Sequence, residues 1–166
     1  MTLFCGVKTK MVAAVEVIGG IAHESLHFPK LLGEVAKHNR VLKLSADAGF
    51  SSVSNLTATV EIGAFLYIPF KDGTTGGQGG LWERLYHRFN LDKAGFMKHY
   101  YKQSIVESTF SAIKQVFGEA VRSKTLTAMK NVCLCKVLCD NICRVITYMC
   151  ELEIEPMFWE DGASPR

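Results

Sequence analysis

An α/β fold, with a small mixed sheet packed by helices and a helical C-terminal half, is predicted by three observations. Short β-branched apolar runs recur through residues 1–70, a glycine-rich segment interrupts the chain at residues 71–80, and apolar residues then repeat at helical spacing almost to the end. At 166 residues, 48% hydrophobic and 21% charged, the chain has the length and composition of one domain with its own core. Wholly disordered, collagenous and low-complexity chains are excluded by the same values. The domain is placed at residues 1–155, with a loop insertion near 71–80 and a tail at 156–166 that frays.

Residues 3–7 and 11–18 are apolar runs separated by Lys8, Thr9 and Lys10, and read as a strand pair closed by Gly19 and Gly20. Residues 23–40 carry Leu31, Leu32, Val35 and Ala36 at helical spacing, with Pro29 suited to the first turn. A short strand is expected at 41–46, then a turn at Asp47, Ala48 and Gly49, a short helix over 51–60, and a strand at 64–70 whose Pro69 belongs near an end or an edge. Beyond the glycine-rich loop, helices are expected at 81–89 and at 92–101, where Asp92 is a natural cap. Val106, Phe110, Ile113 and Phe117 form one stripe over 104–117, and Gly118 ends that helix. Residues 125–152 form a long helix that is apolar on most sides in its middle, which predicts burial, and Pro156 stops it. No internal repeat is present.

No run of uncharged apolar residues is long enough for a membrane span, since Lys8, Lys10, Lys136 and Arg144 interrupt the candidates. The N-terminus is too short and too quickly charged for a signal peptide, so a cytoplasmic chain with thiols rather than disulfides is expected. The net charge of +3 is uneven: residues 1–70 carry +1, residues 71–130 carry +5 and residues 131–166 carry −3. A basic middle segment suits a polyanionic partner, although on charge alone a solvated helix surface is the preferred reading.

Several motifs bear on chemistry. His23, Glu24 and His27 spell H-E-x-x-H, the zinc-hydrolase pattern. Pro29 two residues later places it before the helix, and no third ligand is evident, which favours a chance match. Cys133, Cys135, Cys139 and Cys143 lie at helical rather than zinc-knuckle spacing, and packing in the core is the expected role, with oxidation as a liability. The glycine-rich loop lacks the G-K-[ST] ending of a phosphate cradle and reads as a connector. Ser104 and Glu107 form a capping-box pattern. Asp47 at a strand end and Glu107 on a helix, with Lys114 seven residues further, could set two carboxylates over one sheet edge. Paired carboxylates bind Mg²⁺, and bound metals drive in-line phosphoryl transfer.

The run Ser45-Ala46-Asp47-Ala48-Gly49-Phe50-Ser51-Ser52, followed by Asn55, resembles the second-aspartate motif of prokaryotic insertion-sequence DDE transposases. Tyr100, Gln103, Glu107 and Lys114 resemble that family's Y-x₂-R-x₃-E-x₆-K signature. Residues 5–9, 106–114, 121–125 and 134–143 are similar to further family segments, so the resemblance covers nearly the whole chain in order. It implies an incomplete RNase H-like catalytic domain that cuts and joins DNA with Mg²⁺ or Mn²⁺. Asp47 and Glu107 would be the catalytic, metal-holding acids. Tyr100, Gln103 and Lys114 would be signature residues facing DNA, and Arg122 and Lys124 would hold the backbone of the transposon ends.

Two departures from the pattern carry consequences. Gln103 stands where the signature has arginine, removing a charged contact. The family's first aspartate lies on a strand ahead of the segment matching residues 3–18, and Asp47 is the first aspartate here; Glu16 and Glu24 precede it, and neither matches the motif position. The expectation is therefore a C-terminal part of a transposase, without the family's N-terminal DNA-binding region, whose sheet has a raw edge. Little or no activity is expected of it alone. The alternatives are an inactive remnant that binds DNA, a full-length transposase or itself, and, less favoured, the zinc hydrolase of His23, Glu24 and His27.

Overall fold

The computed structural model describes residues 1–18, 24–70, 73–77 and 79–155. Strands β1 (Thr2–Cys5) and β2 (Val12–Glu16) pair antiparallel, with Thr2 opposite Glu16 and an irregular register between Phe4 and Cys5. Both are shorter than their apolar runs, and the turn between them takes up residues 6–11. Gly6 N–H donates to Met11 O at 2.9 Å, and Lys10 adopts a positive φ of 56°. A 3-10 turn (Glu24–His27) enters α1 (Phe28–His38), and Pro29 sits in the first turn, where its missing N–H is no loss. The H-E-x-x-H segment thus precedes the helix, as its spacing from Pro29 predicts. His23, Gly19 and Gly20 lie outside the described residues.

Strand β3 (Lys43–Ser45) pairs in parallel with β4 (Phe65–Tyr67), Lys43 opposite Phe65. Their crossover holds a 3-10 turn (Ala48–Phe50) and α2 (Val53–Glu61), capped where Ser52 Oγ accepts from Asn55 N–H. Pro69 lies beyond β4, where a missing ladder donor costs nothing. The glycine-rich loop is described only at 73–77 and 79, and leads into α3 (Gly80–Leu91). Asp92 caps α4 (Lys93–Tyr100), its Oδ1 accepting from Gly95 N–H at 2.9 Å. A 3-10 turn (Tyr101–Gln103) then runs into α5 (Ser104–Phe117), which ends at Gly118 with φ 74°. Last comes α6 (Leu126–Glu151), where Thr125 Oγ1 accepts from Ala128 N–H. No described helix is long and apolar enough to cross a membrane.

Two cores hold these elements. The larger joins Phe28 and Leu32 of α1, Leu56 of α2, Leu66 and Tyr67 of β4, Leu85 and Phe89 of α3 and Phe96 of α4. The smaller sets Leu3 and Val12 of the hairpin against Ile113 of α5 and Val137 of α6, with Val106, Phe110 and Phe117 alongside, so the predicted stripe faces the hairpin.

Four expectations are corrected. The strands form two separate two-stranded sheets, β1-β2 and β3-β4, rather than one mixed sheet. The middle of α6 is not buried: only Val137 and Asp140 of that helix are, while Leu134, Leu138, Ile142, Val145 and Ile146 are exposed. Only one side of α6 has neighbours, and much of its attachment is polar. Asn141 Oδ1 accepts from Val12 N–H at 2.8 Å and its Nδ2 donates to Val12 O at 2.9 Å, while Tyr148 Oη donates to Lys8 O and Thr9 O. Cys135, Cys139 and Cys143 are exposed on that helix and Cys133 is half-buried, so core packing is not their role, although all six cysteines are thiols. The capping box does not form. Residue 103 already has helical backbone, because the chain enters α5 from a 3-10 turn, and Ser104 Oγ donates to Tyr101 O instead. The stop at Pro156 and the tail at 156–166 lie outside the described residues.

Replacing Asn141 by alanine leaves both polar backbone groups of the buried Val12 without their partner. Urea denaturation is expected to show a loss of about 1–3 kcal/mol. A change within about 0.5 kcal/mol would mean that water takes over both bonds.

Candidate functional site

Asp47 lies two residues past the end of β3, after Ala46. Ala46 N–H donates to Tyr67 O at 3.2 Å, Asp47 has extended backbone, and Phe50 N–H donates back to Asp47 O at 2.9 Å to close the turn. The Asp47 carboxylate caps no backbone N–H and is exposed. It accepts a hydrogen bond from Tyr100 Oη at 3.4 Å. Asn55 fixes the turn from below. It is 1% exposed, and its Nδ2 donates to Phe50 O at 2.8 Å and to Ser25 Oγ at 2.9 Å. Removing that amide by Asn55→Ala strands the Phe50 carbonyl. The expected loss is about 1–3 kcal/mol in thermal or chemical unfolding, together with faster amide exchange at residues 48–50.

Tyr100, Gln103 and Glu107 come from the α4–α5 junction, three and four residues apart, and so stack along one side of it. Gln103 Nε2 donates to Tyr100 Oη at 3.5 Å. Burial pushes the Tyr100 hydroxyl above its ordinary pKa, and the carboxylates of Asp47 and Glu107 push it the same way. The phenol is therefore a standing donor toward Asp47 at neutral pH. Glu107 lies in the first turn of α5, is exposed, and has no hydrogen-bonding or ionic partner among the described residues.

Asp47 and Glu107 line one groove of about 260 Å³ between β1 and β3. Phe4, Phe28, Val106 and Phe110 make it apolar, and Lys43, Lys102 and Gln103 stand with the two acids. Lys43 and Lys102 were not among the residues singled out by sequence. Lys43 shares a strand face with Ser45 and Asp47 by the two-residue period, which is a readable signal. Lys102 carries none.

Other expected residues lie elsewhere. Lys114 Nζ pairs with Glu119 Oε1 at 2.8 Å, two turns along α5 from Glu107. Arg122 and Lys124 are exposed in the α5–α6 connection, which Lys136 steadies by donating to Gly118 O at 2.7 Å and Ala120 O at 3.1 Å. None of the three lines the groove. Glu24 does line the groove but pairs there with the N-terminal ammonium at 3.1 Å, and His27 Nδ1 meets Glu16 Oε2 at 3.1 Å. Lys30 also bonds Glu16 at 2.8 Å, which holds that carboxyl below its ordinary pKa. Two members of the H-E-x-x-H segment are thus engaged with different partners.

Among the described residues no group of three or more His, Cys, Asp or Glu converges on a point where a metal could sit. Three acids line the groove, and with Glu24 paired to the N-terminal ammonium the donor set left is the carboxylates of Asp47 and Glu107, oxygen ligands of the kind that Mg²⁺ and Mn²⁺ take, with water to complete the shell. These residues fit a hard divalent ion weakly held, and they do not fit zinc.

A protein-family model described as a transposase DDE domain matches residues 1–142. No curated protein and no solved structure matches the chain.

Proposed function

The chain belongs to the transposase DDE-domain family, and from that premise we propose that it is part of an RNase H-like catalytic domain for DNA transposition, with Asp47 and Glu107 as its metal-holding acids. One observation carries this reading: two acids 60 residues apart in sequence, Asp47 and Glu107, line the same groove. A divalent ion bound there supplies Lewis-acid polarisation of a phosphoryl oxygen. Asp47 is held toward the groove by the Tyr100 hydroxyl, which stays protonated. Lys43 and Lys102 place positive charge beside the acids, where a DNA phosphate would approach. Gln103 orients the Tyr100 ring oxygen and contributes no charge of its own.

With Glu24 paired to the N-terminal ammonium, the carboxylates of Asp47 and Glu107 offset the charge of about one divalent ion, and two-ion transfer needs more oxygen ligands than these two offer. The 166-residue polypeptide is therefore proposed to bind DNA and to cleave it poorly by itself. A non-catalytic role, engaging transposon DNA or a full-length transposase, is the second reading, favoured by the absence of a third convergent acid among the described residues. Either role sits where the DNA is, in the cytoplasm of a prokaryotic cell.

The test is anisotropy of a labelled duplex across a salt series, with a cleavage assay in Mn²⁺. Binding is expected to weaken linearly in log–log form, with Arg122→Ala and Lys124→Ala each reducing the slope by about 1. Robust cleavage that Glu107→Gln abolishes would restore full catalytic competence to this chain. Salt-insensitive or absent binding would remove the catalytic reading and the DNA-binding form of the second.

A further inference from the structure

A second cavity, of about 260 Å³, shares Lys43 with the acid groove and is walled by Tyr67 of β4, Arg88 of α3 and His99 of α4. Lys43 Nζ lies 3.3 Å from His99 Nε2, its one side-chain contact of that kind among the described residues. Arg88 Cζ sits 4.5 Å from the centre of the Phe65 ring, which holds the guanidinium without using its N–H donors. Arg88 makes no side-chain hydrogen bond or ion pair among the described residues, and Glu83 on the same helix is turned to His87. The one acid at the cavity, Asp92, is engaged as the cap of α4, its Oδ1 accepting from Gly95 N–H at 2.9 Å. His99 is fixed in place: its ring stacks 4.6 Å from that of Tyr67, and Ser45 Oγ donates to its backbone O at 2.8 Å. Partial burial holds the imidazole below its ordinary pKa, and Lys43, Lys102 and Lys98 push it the same way. Neutral, His99 accepts from the Lys43 ammonium. Protonated, it sets two cations in contact, a repulsion that a shared anion offsets.

We propose that the Lys43–Arg88–His99 cavity is a phosphate subsite, which holds one phosphate group of a nucleic-acid strand whose neighbouring segment lies in the Asp47–Glu107 groove. Lys43 lines both cavities, so a strand leaving the groove on that side meets the second one next. Arginine offers phosphate a planar fork of donors and lysine a point charge, and the cavity supplies one of each. Its rings are already stacked on one another, so it takes the backbone and reads no base, and the subsite positions a strand without sequence preference. An internal phosphodiester and a terminal phosphate present the same oxygens to these donors. That the strand is DNA rests on the function proposed above, whereas the subsite rests on the cation cluster itself.

The experiment is titration of the full chain with an unphosphorylated thymidine tetranucleotide and with its 5′-phosphorylated form, read by binding affinity and by NMR of the His99 imidazole over about pH 5–8. Both are expected to move the His99 titration to higher pH, because a bound anion favours the imidazolium, and binding therefore tightens as pH falls through that titration. Movement by both assigns the subsite to an internal phosphodiester, and movement by the phosphorylated form alone assigns it to a strand terminus. Arg88→Gln is expected to weaken binding at least about tenfold. Arg84→Gln, an equal loss of charge from the exposed surface of α3 outside the cavity, should weaken it less than about twofold. Equal losses in the two variants would mark diffuse attraction and overturn the subsite. So would a His99 titration that neither oligonucleotide moves, a result read on the parent chain and independent of whether the variants fold. A failed subsite leaves the salt-dependent duplex binding of the parent chain in place, whereas a failed DNA function removes that binding as well.

Discussion

Replacing Phe28 by alanine is expected to lower the unfolding free energy by about 3–5 kcal/mol, the range for emptying a buried aromatic site. Phe28 is 2% exposed. Its ring lies 5.2 Å from that of Phe4 on β1 and 5.8 Å from that of Phe50 in the turn after Asp47. One side chain therefore ties the first hairpin, α1 and the Asp47 turn to the larger core. The loss is large against the roughly 5–15 kcal/mol that stabilises a typical domain, so the variant should be partly unfolded at 37 °C. Urea denaturation followed by circular dichroism measures it. Val116→Ala is the control: that side chain is 67% exposed on α5 and should change stability by no more than about 0.5 kcal/mol. A Phe28→Ala loss below about 1 kcal/mol would show that the groove side collapses into the space, and the site would then be softer than its aromatic packing implies.

What the sequence made legible divides along a physical line. Helix α5 was readable to its ends, because its stripe of Val106, Phe110, Ile113 and Phe117 and its terminal Gly118 are local signals. The capping box at its start was readable and misleading. That motif needs the chain to arrive in extended conformation, and here it arrives from a 3-10 turn, which no four-residue pattern reveals. Helix α6 was misread for a different reason. An apolar composition announces that a surface wants cover, not whether this chain supplies it, and Leu138, Ile142 and Ile146 are left uncovered. The strands were placed within a few residues, yet their division into two sheets was not foreseen, since pairing depends on which edges meet. Asp47, Tyr100, Gln103 and Glu107, chosen by motif, do come together around one groove. Lys43 was readable from its two-residue period with Asp47 but was not singled out, whereas Lys102 joins them only through the packing of β3 against the α4–α5 junction, a contact with no sequence spacing to announce it. Asn55 was noted as part of the motif text, and the structure gives it a mechanical task beneath the Asp47 turn.

The convergence of the two acids predicts a measurable coupling. Mn²⁺ binding to the purified chain, followed by water-proton relaxation, should weaken by about tenfold or more in Asp47→Asn and again in Glu107→Gln, since each removes an anionic oxygen ligand and tenfold corresponds to about 1.4 kcal/mol. Both carboxylates are exposed, and neither caps a helix or joins an ion pair among the described residues, so folding should be unaffected and thermal midpoints provide the check. The informative variant is the double one. If one ion is shared, losing the first ligand leaves the second with less to hold, and the double variant should fall short of the summed single effects by roughly 0.5–3 kcal/mol, as contacting groups do. Strict additivity would mean two independent ions, and the groove would then be a surface with two acids on it rather than a site. Unchanged affinity in both single variants would place the ion elsewhere and remove Asp47 and Glu107 as its ligands. Tyr100→Phe separates position from charge: it removes the donor that holds Asp47 at 3.4 Å but neither carboxylate. Its effect on Mn²⁺ affinity should therefore be smaller than that of either acid substitution, and an equal or larger effect would make the phenol itself a ligand.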